Sequence, residues 1–114
     1  MLHFNVDHQS LSRTDTFRPV SASKDYLRCT FSFSEDWSGL QRTALFKSQT
    51  GAVYSVTLDQ DDACMVPDEI LSGNPSKYIT VSCYGTSPSG AENPVFLPSN
   101  STRVFLETAG YWQD

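Results

Sequence analysis

Cys29, Cys64 and Cys83, together with His3 and His8, are the side chains of this sequence best suited to nucleophilic or metal chemistry. Neither chemistry finds its spacing. Zinc sites draw ligands from short repeats such as Cys-x-x-Cys or His-x-x-x-His, and the chain contains none. A reactive thiol needs exposure beside a base or a cation. All three cysteines instead sit among apolar or strand-forming residues, the setting of buried, reduced thiols. Asp59, Asp61 and Asp62 put oxygen ligands on one turn, as calcium requires. The glycine and distal glutamate of an EF-hand are missing, so a solvated hairpin turn is expected. Glu35 and Asp36 are adjacent carboxylates with no second group to divide acid and base roles. Residues 85–90 carry glycines but precede no helical pattern, which argues against a phosphate loop. The expectation is a protein that is not an enzyme, with no catalytic residue, metal or cofactor.

Aromatic residues offer another chemistry. Tyr78, Tyr84, Tyr111 and Trp112 are of the type that stacks on sugar rings or anchors protein interfaces. The two strand tyrosines are expected half-buried. Tyr111 and Trp112, on a polar-flanked tail, are better interface candidates, and Phe4 joins them on the N-terminal strand. Candidate contact regions are that strand, the loop over residues 85–94 and the tail around Trp112.

Bulk properties narrow the function classes. The 114 residues suit one domain, with residues 108–114 as a tail beyond a domain of residues 1–107. A domain of this size buries roughly two-thirds of its unfolded surface. The chain is 39% apolar, 12% aromatic and 18% charged, which argues against disorder. Eight Lys and Arg face thirteen Asp and Glu, for a net charge of −5. Such a chain lacks the cations that displace counterions from phosphates, so no nucleic-acid partner is expected. Neither a secretory signal nor an apolar run of membrane-spanning length is apparent. Three cysteines cannot pair completely, and reduced thiols point to folding in a cytosol. Asn100-Ser101-Thr102 then reads as a chance match to a glycosylation acceptor.

Those side chains must be held by strands. Apolar and polar residues alternate over residues 2–6, 26–34 and 78–84, the period of half-buried strands. Shorter candidates cover residues 43–47, 53–58, 63–66, 95–97 and 103–107, and residues 7–16 read as a polar connection. Ser48-Gln49-Thr50-Gly51 forms a hairpin turn. Pro67 followed by acids opens about one helical turn. No helical apolar period runs for ten residues. The predicted fold is all-β: an antiparallel β-sandwich of about seven or eight short strands with at most one short helical turn.

Physically, Phe31 and Phe33 fill the space between two sheets, with Phe46 beside Ala44 or Leu45 as the facing layer. Trp37 and Leu40 plug one end of that core, where Gly39 permits an unusual backbone angle. Pro67 with Ile70 and Leu71 caps the other end. The same stretch carries a resemblance. Phe31-Ser32-Phe33, Trp37-Ser38-Gly39-Leu40, Thr43-Ala44-Leu45-Phe46, Val66-Pro67 and Val81-Ser82-Cys83-Tyr84-Gly85 occur in that order. The order resembles the N-terminal β-domain of phage baseplate upper proteins and related minor tail proteins of phages infecting Gram-positive bacteria. It covers roughly the middle half of the chain, with weaker agreement over residues 98–106. In that family the domain docks onto tail or baseplate, while a longer C-terminal region continues to a receptor-binding part. The resemblance implies a virion structural protein made in the host cytoplasm, with Phe31, Phe33, Trp37, Gly39, Leu40, Phe46, Pro67, Val81 and Gly85 determining the fold. Its partners would be other phage structural proteins in a homo-oligomeric or symmetric assembly, with no membrane and no small-molecule ligand expected. A carbohydrate-binding or host-surface adhesin module and a head-associated protein are the alternatives.

Overall fold

The computed structural model describes residues 1–20, 26–71, 78–88, 90 and 92–107. Among them are nine strands: β1 (Leu2–Asp7), β2 (Ser10–Arg13), β3 (Arg28–Phe33), β4 (Gln41–Ser48), β5 (Val53–Thr57), β6 (Ala63–Met65), β7 (Tyr78–Thr86), β8 (Phe96–Pro98) and β9 (Thr102–Phe105). One 3-10 turn, Glu35–Trp37, and one helical turn, α1 (Asp68–Leu71), complete the list. The first sheet has the order β2-β1-β3-β6, and the second the order β5-β4-β7-β8, with β9 also on β7. The architecture is the expected all-β sandwich.

Period-two alternation builds each layer. Along β1 the even-numbered residues Leu2, Phe4 and Val6 are buried and their neighbours exposed. Along β7 Ile79, Val81, Cys83 and Gly85 are buried while the residues between are half-buried. An aromatic row lines the inner face of the first sheet. Phe4 stacks on its register partner Phe31 at 5.1 Å, Phe31 on Phe33 at 6.0 Å, and Phe33 meets Trp37 at 4.9 Å. Ala44, Phe46, Ile79, Val81, Cys83 and Val104 of the second sheet complete the same buried cluster. Ile70 and Leu71 of α1 are buried in it, and Pro67 is half-buried before them.

Three features differ from expectation. Phe4, assigned to an interface, is 1% exposed and belongs to the core; its even-numbered phase on β1 turns it toward Phe31. The sandwich is not wholly antiparallel, since β1 and β3 run parallel. That follows from β2 pairing as a hairpin on one edge of β1, so that β3 returns on the other edge in the direction of β1. Strand β2 itself lies in the stretch read as a polar connection. Only Leu11 of its four residues is buried, too little for a period-two signal.

Asp15 fastens the segment that leaves β2. Its carboxylate accepts hydrogen bonds from the His3 amide at 2.8 Å, the Phe17 amide at 2.8 Å and the Arg13 guanidinium at 2.8 and 3.1 Å. Burial alone would raise this carboxyl; the bonds from Arg13 and the two amides outweigh it and hold the pKa at about 2. A pKa lowered in the folded state gives stability that is present above the unfolded value and lost as pH falls through the folded one. Asp15→Asn should therefore cost about 2 kcal/mol at pH 7 and flatten the stability profile between pH ~4 and ~2, as urea denaturation at stepped pH would show.

Gly85 is required by close approach. A Cβ there would lie 3.0 Å from Leu40 Cδ1, 3.1 Å from Leu40 Cβ and 3.1 Å from Trp37 Cε3. Gly85→Ala should destabilise by about 1–3 kcal/mol through overpacking, read from denaturant midpoints. An unchanged midpoint would mean that the Trp37 corner sits looser on β7 than these distances state.

Candidate interaction face

The outer face of the second sheet gathers exposed aromatic residues around a cationic floor. Because β7 sends Ile79, Val81 and Cys83 inward, it sends Tyr78, Thr80, Ser82, Tyr84 and Thr86 outward. Register places Lys47 beside Thr80, Leu45 beside Ser82 and Thr43 beside Tyr84 on β4. On the opposite side of β7, Tyr78 pairs with Phe105, Thr80 with Arg103 and Thr86 with Phe96. Cross-strand partners share a face, so this surface is set by pairing register rather than by loops.

Two aromatic pairs result. Tyr78 and Phe105 meet edge to face at 5.8 Å, with the Arg103 guanidinium carbon 4.5 Å above the Tyr78 ring. Tyr84 and Phe96 stack at 5.4 Å and 28°. Phe96 and Phe105 are each 64% exposed, and Val53 of β5 is 57% exposed. Leu45, Lys47, Thr80, Ser82, Ser101 and Arg103 line a shallow concavity of about 470 Å³ beside the first pair. Its lining carries Lys47 and Arg103 and no carboxylate, in a chain whose net charge is −5.

One edge of β7 serves two strands. β8 pairs with residues 84–86 and β9 with residues 78–81. Between them the Cys83 amide donates to Ser99 Oγ at 3.0 Å, and the Ser99 amide donates to the Cys83 carbonyl at 2.8 Å. The hydroxyl replaces the ladder bond that the break removes. Asn100 then reaches the first sheet: its Oδ1 accepts from the Leu11 amide at 2.8 Å, and its own amide donates to the Gln9 carbonyl at 2.9 Å. These bonds hold Phe96 and Phe105 on rigid strands, which limits the ordering cost of a partner's arrival.

Of the residues singled out in the sequence, Trp37, Phe46 and Val81 are fully buried and Phe31 is 5% exposed. Phe33 packs half-buried against the core, and Gly39 sits in an exposed turn at φ +78°. Tyr78 and Tyr84 share the outer face described above. Tyr111 and Trp112 lie outside the described residues. In the loop after β7, the Val95 amide donates to Ser87 Oγ at 2.6 Å. Phe96, Arg103 and Phe105 were missed. The signal for Phe105 is the apolar run Val104-Phe105-Leu106, since in an alternating strand the middle residue faces outward when its neighbours face in; Val95 beside Phe96 is itself exposed, and neither Phe96 nor Arg103 carries such a signal.

Several titratable groups near the surface are engaged in local structure. Asp59 Oδ1 accepts from the Asp61 and Ala63 amides at 2.8 and 3.0 Å, and Asp62 pairs with Arg42 at 2.7 Å. His8, at φ +58°, brings Nδ1 to 3.1 Å from Asp36, whose other oxygen accepts from the Ser34 hydroxyl. The hydroxyl is committed to the carboxylate rather than to the imidazole, which is not how a serine nucleophile is activated. No family model matches the chain, and no curated protein matches it.

The hydrogen bond and charge of Asp36, with the charge of Asp7, raise the His8 pKa above its ordinary value. A raised histidine contributes stability below its unfolded pKa, and that contribution disappears as pH rises through the folded value. NMR titration of His8 should give a midpoint above ~6.5, and Asp36→Asn should bring it back toward that value. An unchanged midpoint in the variant would remove Asp36 as the cause.

Proposed function

We propose that this protein is a bacteriophage virion structural subunit that docks in the tail or baseplate through protein–protein contacts. The carrying observation is the outer face of the second sheet, where the pairs Tyr78–Phe105 and Tyr84–Phe96 flank Lys47 and Arg103. Tyrosine, phenylalanine and arginine are enriched where protein interfaces concentrate their binding energy. The fitting partner surface is acidic with apolar side chains between its carboxylates. A second copy of this acidic chain, or a neighbouring structural subunit, supplies that chemistry. The order of the motifs between Phe31 and Gly85, with its resemblance to baseplate and minor tail proteins, supports the viral setting.

The β5 edge supports assembly as well. Among the described residues Val53–Thr57 pairs with β4 alone, and its sequence Val-Tyr-Ser-Val-Thr holds no charge and no proline. Edges of that kind pair with strands of other chains unless something blocks them. Among the described residues no helix is long and apolar enough to cross a membrane. The proposed subunit acts without a cofactor and without catalysis.

The second reading is a carbohydrate-binding or host-surface module, favoured by the same Tyr84–Phe96 pair as a platform for a sugar ring. Mass spectrometry of purified particles should find the protein in stoichiometric amount. Phe96→Ala and Arg103→Ala should each reduce incorporation roughly 10- to 30-fold, the scale of a lost interface anchor, with an unchanged melting temperature. Particles that lack the protein, together with saturable binding on a glycan array abolished by Phe96→Ala, would replace the structural role by the carbohydrate one.

A further inference from the structure

Cys29 on β3 and Cys64 on β6 are direct cross-strand partners. Both are buried, at 0% and 7% exposure, and both are free thiols. The bonds on either side define their phase. The Val66 amide donates to the Leu27 carbonyl at 2.8 Å, and the Phe31 amide donates to the Asp62 carbonyl at 2.9 Å. The cysteines lie midway between these two bonded pairs, so they occupy a hydrogen-bonded position of the antiparallel ladder. Such positions separate Cα atoms by about 5.5 Å, inside the range that a disulfide spans. Directly opposite side chains leave the sheet on the same face, with Cβ atoms about 5.5 Å apart at a hydrogen-bonded position against about 4 Å in a relaxed disulfide, so closure needs no change of register but draws the short edge strand β6 locally toward β3.

We propose that Cys29 and Cys64 form an oxidisable pair that closes to an intramolecular disulfide and latches β6 to β3. The oxidant is a low-molecular-weight disulfide such as oxidised glutathione. The Cys64 thiolate attacks one sulfur of the oxidant, breaking its S–S bond and releasing one small thiol, which takes up a proton. The Cys29 thiolate then attacks Cys64 Sγ, forming the protein S–S bond and releasing the second small thiol. Two protein thiols lose two electrons and two protons, and one external disulfide becomes two thiols.

The geometry also gives the order of attack. Cys64 lies on β6, a three-residue strand at the edge of the first sheet, and strands of that kind open locally at low cost. Cys29 sits between β1 and β6 in the interior of the sheet. The hydrogen bond with Cys29 holds the Cys64 thiol below its ordinary value, whereas that bond and burial raise Cys29. Cys64 is thus the attacking group and Cys29 the resolving one. Cys83 has no cysteine opposite it: its register partner on β4 is Ala44. Burial pushes its thiol up to about 11, so it stays reduced while the pair oxidises. An odd cysteine count is what one such pair plus one core thiol requires. This inference is independent of the docking role, because it concerns the opposite sheet and needs no partner protein.

The test uses the folded full-length chain with a graded series of oxidised to reduced glutathione, quenched in acid. Intact mass should fall by about 2 Da, and peptide mapping without reductant should join the peptides of Cys29 and Cys64. The melting temperature should rise by on the order of 10 °C, since a long loop is closed in the unfolded chain. Cys83→Ser should leave all three readouts in place, and Cys64→Ser should abolish the link. A stable glutathione adduct on Cys64 with no internal bond would overturn the proposal. So would oxidation that occurs only in denaturant, or a link involving Cys83.

Discussion

The fold turns on how Trp37 is held. The indole is fully buried, and its N–H donates to the His8 carbonyl at 2.7 Å, which joins it to the β1–β2 turn. Its own carbonyl accepts from the Arg42 guanidinium at 2.9 and 3.3 Å and from the Leu40 amide at 3.2 Å. Arg42 in turn clasps Asp62 with two bonds of 2.7 and 2.8 Å and lies 4.7 Å over the Phe33 ring. One residue therefore connects the first sheet, the corner leading to β4 and the turn before β6. Deleting a buried side chain of this size costs about 3–5 kcal/mol in transfer and cavity terms. Here the loss would also leave the His8 carbonyl without its indole donor, a further penalty of the kind an unsatisfied polar group carries.

The outer face inherits its geometry from that corner. Gly85 admits Leu40 and the Trp37 ring against the end of β7, which sets the height at which β4 enters the sheet beside it. The register of β4 on β7, from Gln41 opposite Thr86 to Ser48 opposite Ile79, then decides which side chains face water. A one-residue slip would exchange the inner and outer rows. It would place Lys47 in the core and Phe46 in solvent. The buried Phe46 and the exposed Lys47 are thus two consequences of one register.

Alternation made much of this legible, and topology hid the rest. The stripe over residues 27–33 places Leu27, Cys29, Phe31 and Phe33 on one face, and those residues do meet the core. Period two cannot say which strands become neighbours. Phe4 looked like an anchor for a partner because the pairing of β1 with β3 joins residues far apart in sequence. The Cys29–Cys64 opposition is invisible for the same reason, since it requires β6 to return beside β3. Asp62 reads in the sequence as part of a solvated turn, and nothing there pairs it with Arg42. Their pairing follows from Asp62 adopting φ +57°, a backbone state that aspartate tolerates better than most residues. Strand β2 escaped because only Leu11 of its four residues is apolar.

Among the described residues the two flanks of the sandwich are closed unequally, and that inequality bears on the proposed docking. On one flank Asn100, Gln9 and Leu11 bind the β8–β9 break to β2, and the Glu107 amide reaches the Pro19 carbonyl at 2.9 Å. Those bonds satisfy backbone groups that would otherwise template a foreign strand. On the other flank the Asp59 amide donates to the Ala63 carbonyl at 3.0 Å, and the Leu58 amide donates to the Arg42 carbonyl at 3.0 Å. Both bonds tie the ends of the β5–β6 connection, and among the described residues β4 alone pairs along β5. Tyr54 and Val56 face the core side, and the exposed Val53, Ser55 and Thr57 line the outer face beside Lys47 and Leu45. A partner of the proposed kind, approaching the aromatic pairs from that side, would meet side-chain anchors and a strand edge that no other described strand pairs with. Affinity from strand pairing and specificity from alternate side chains are then available together.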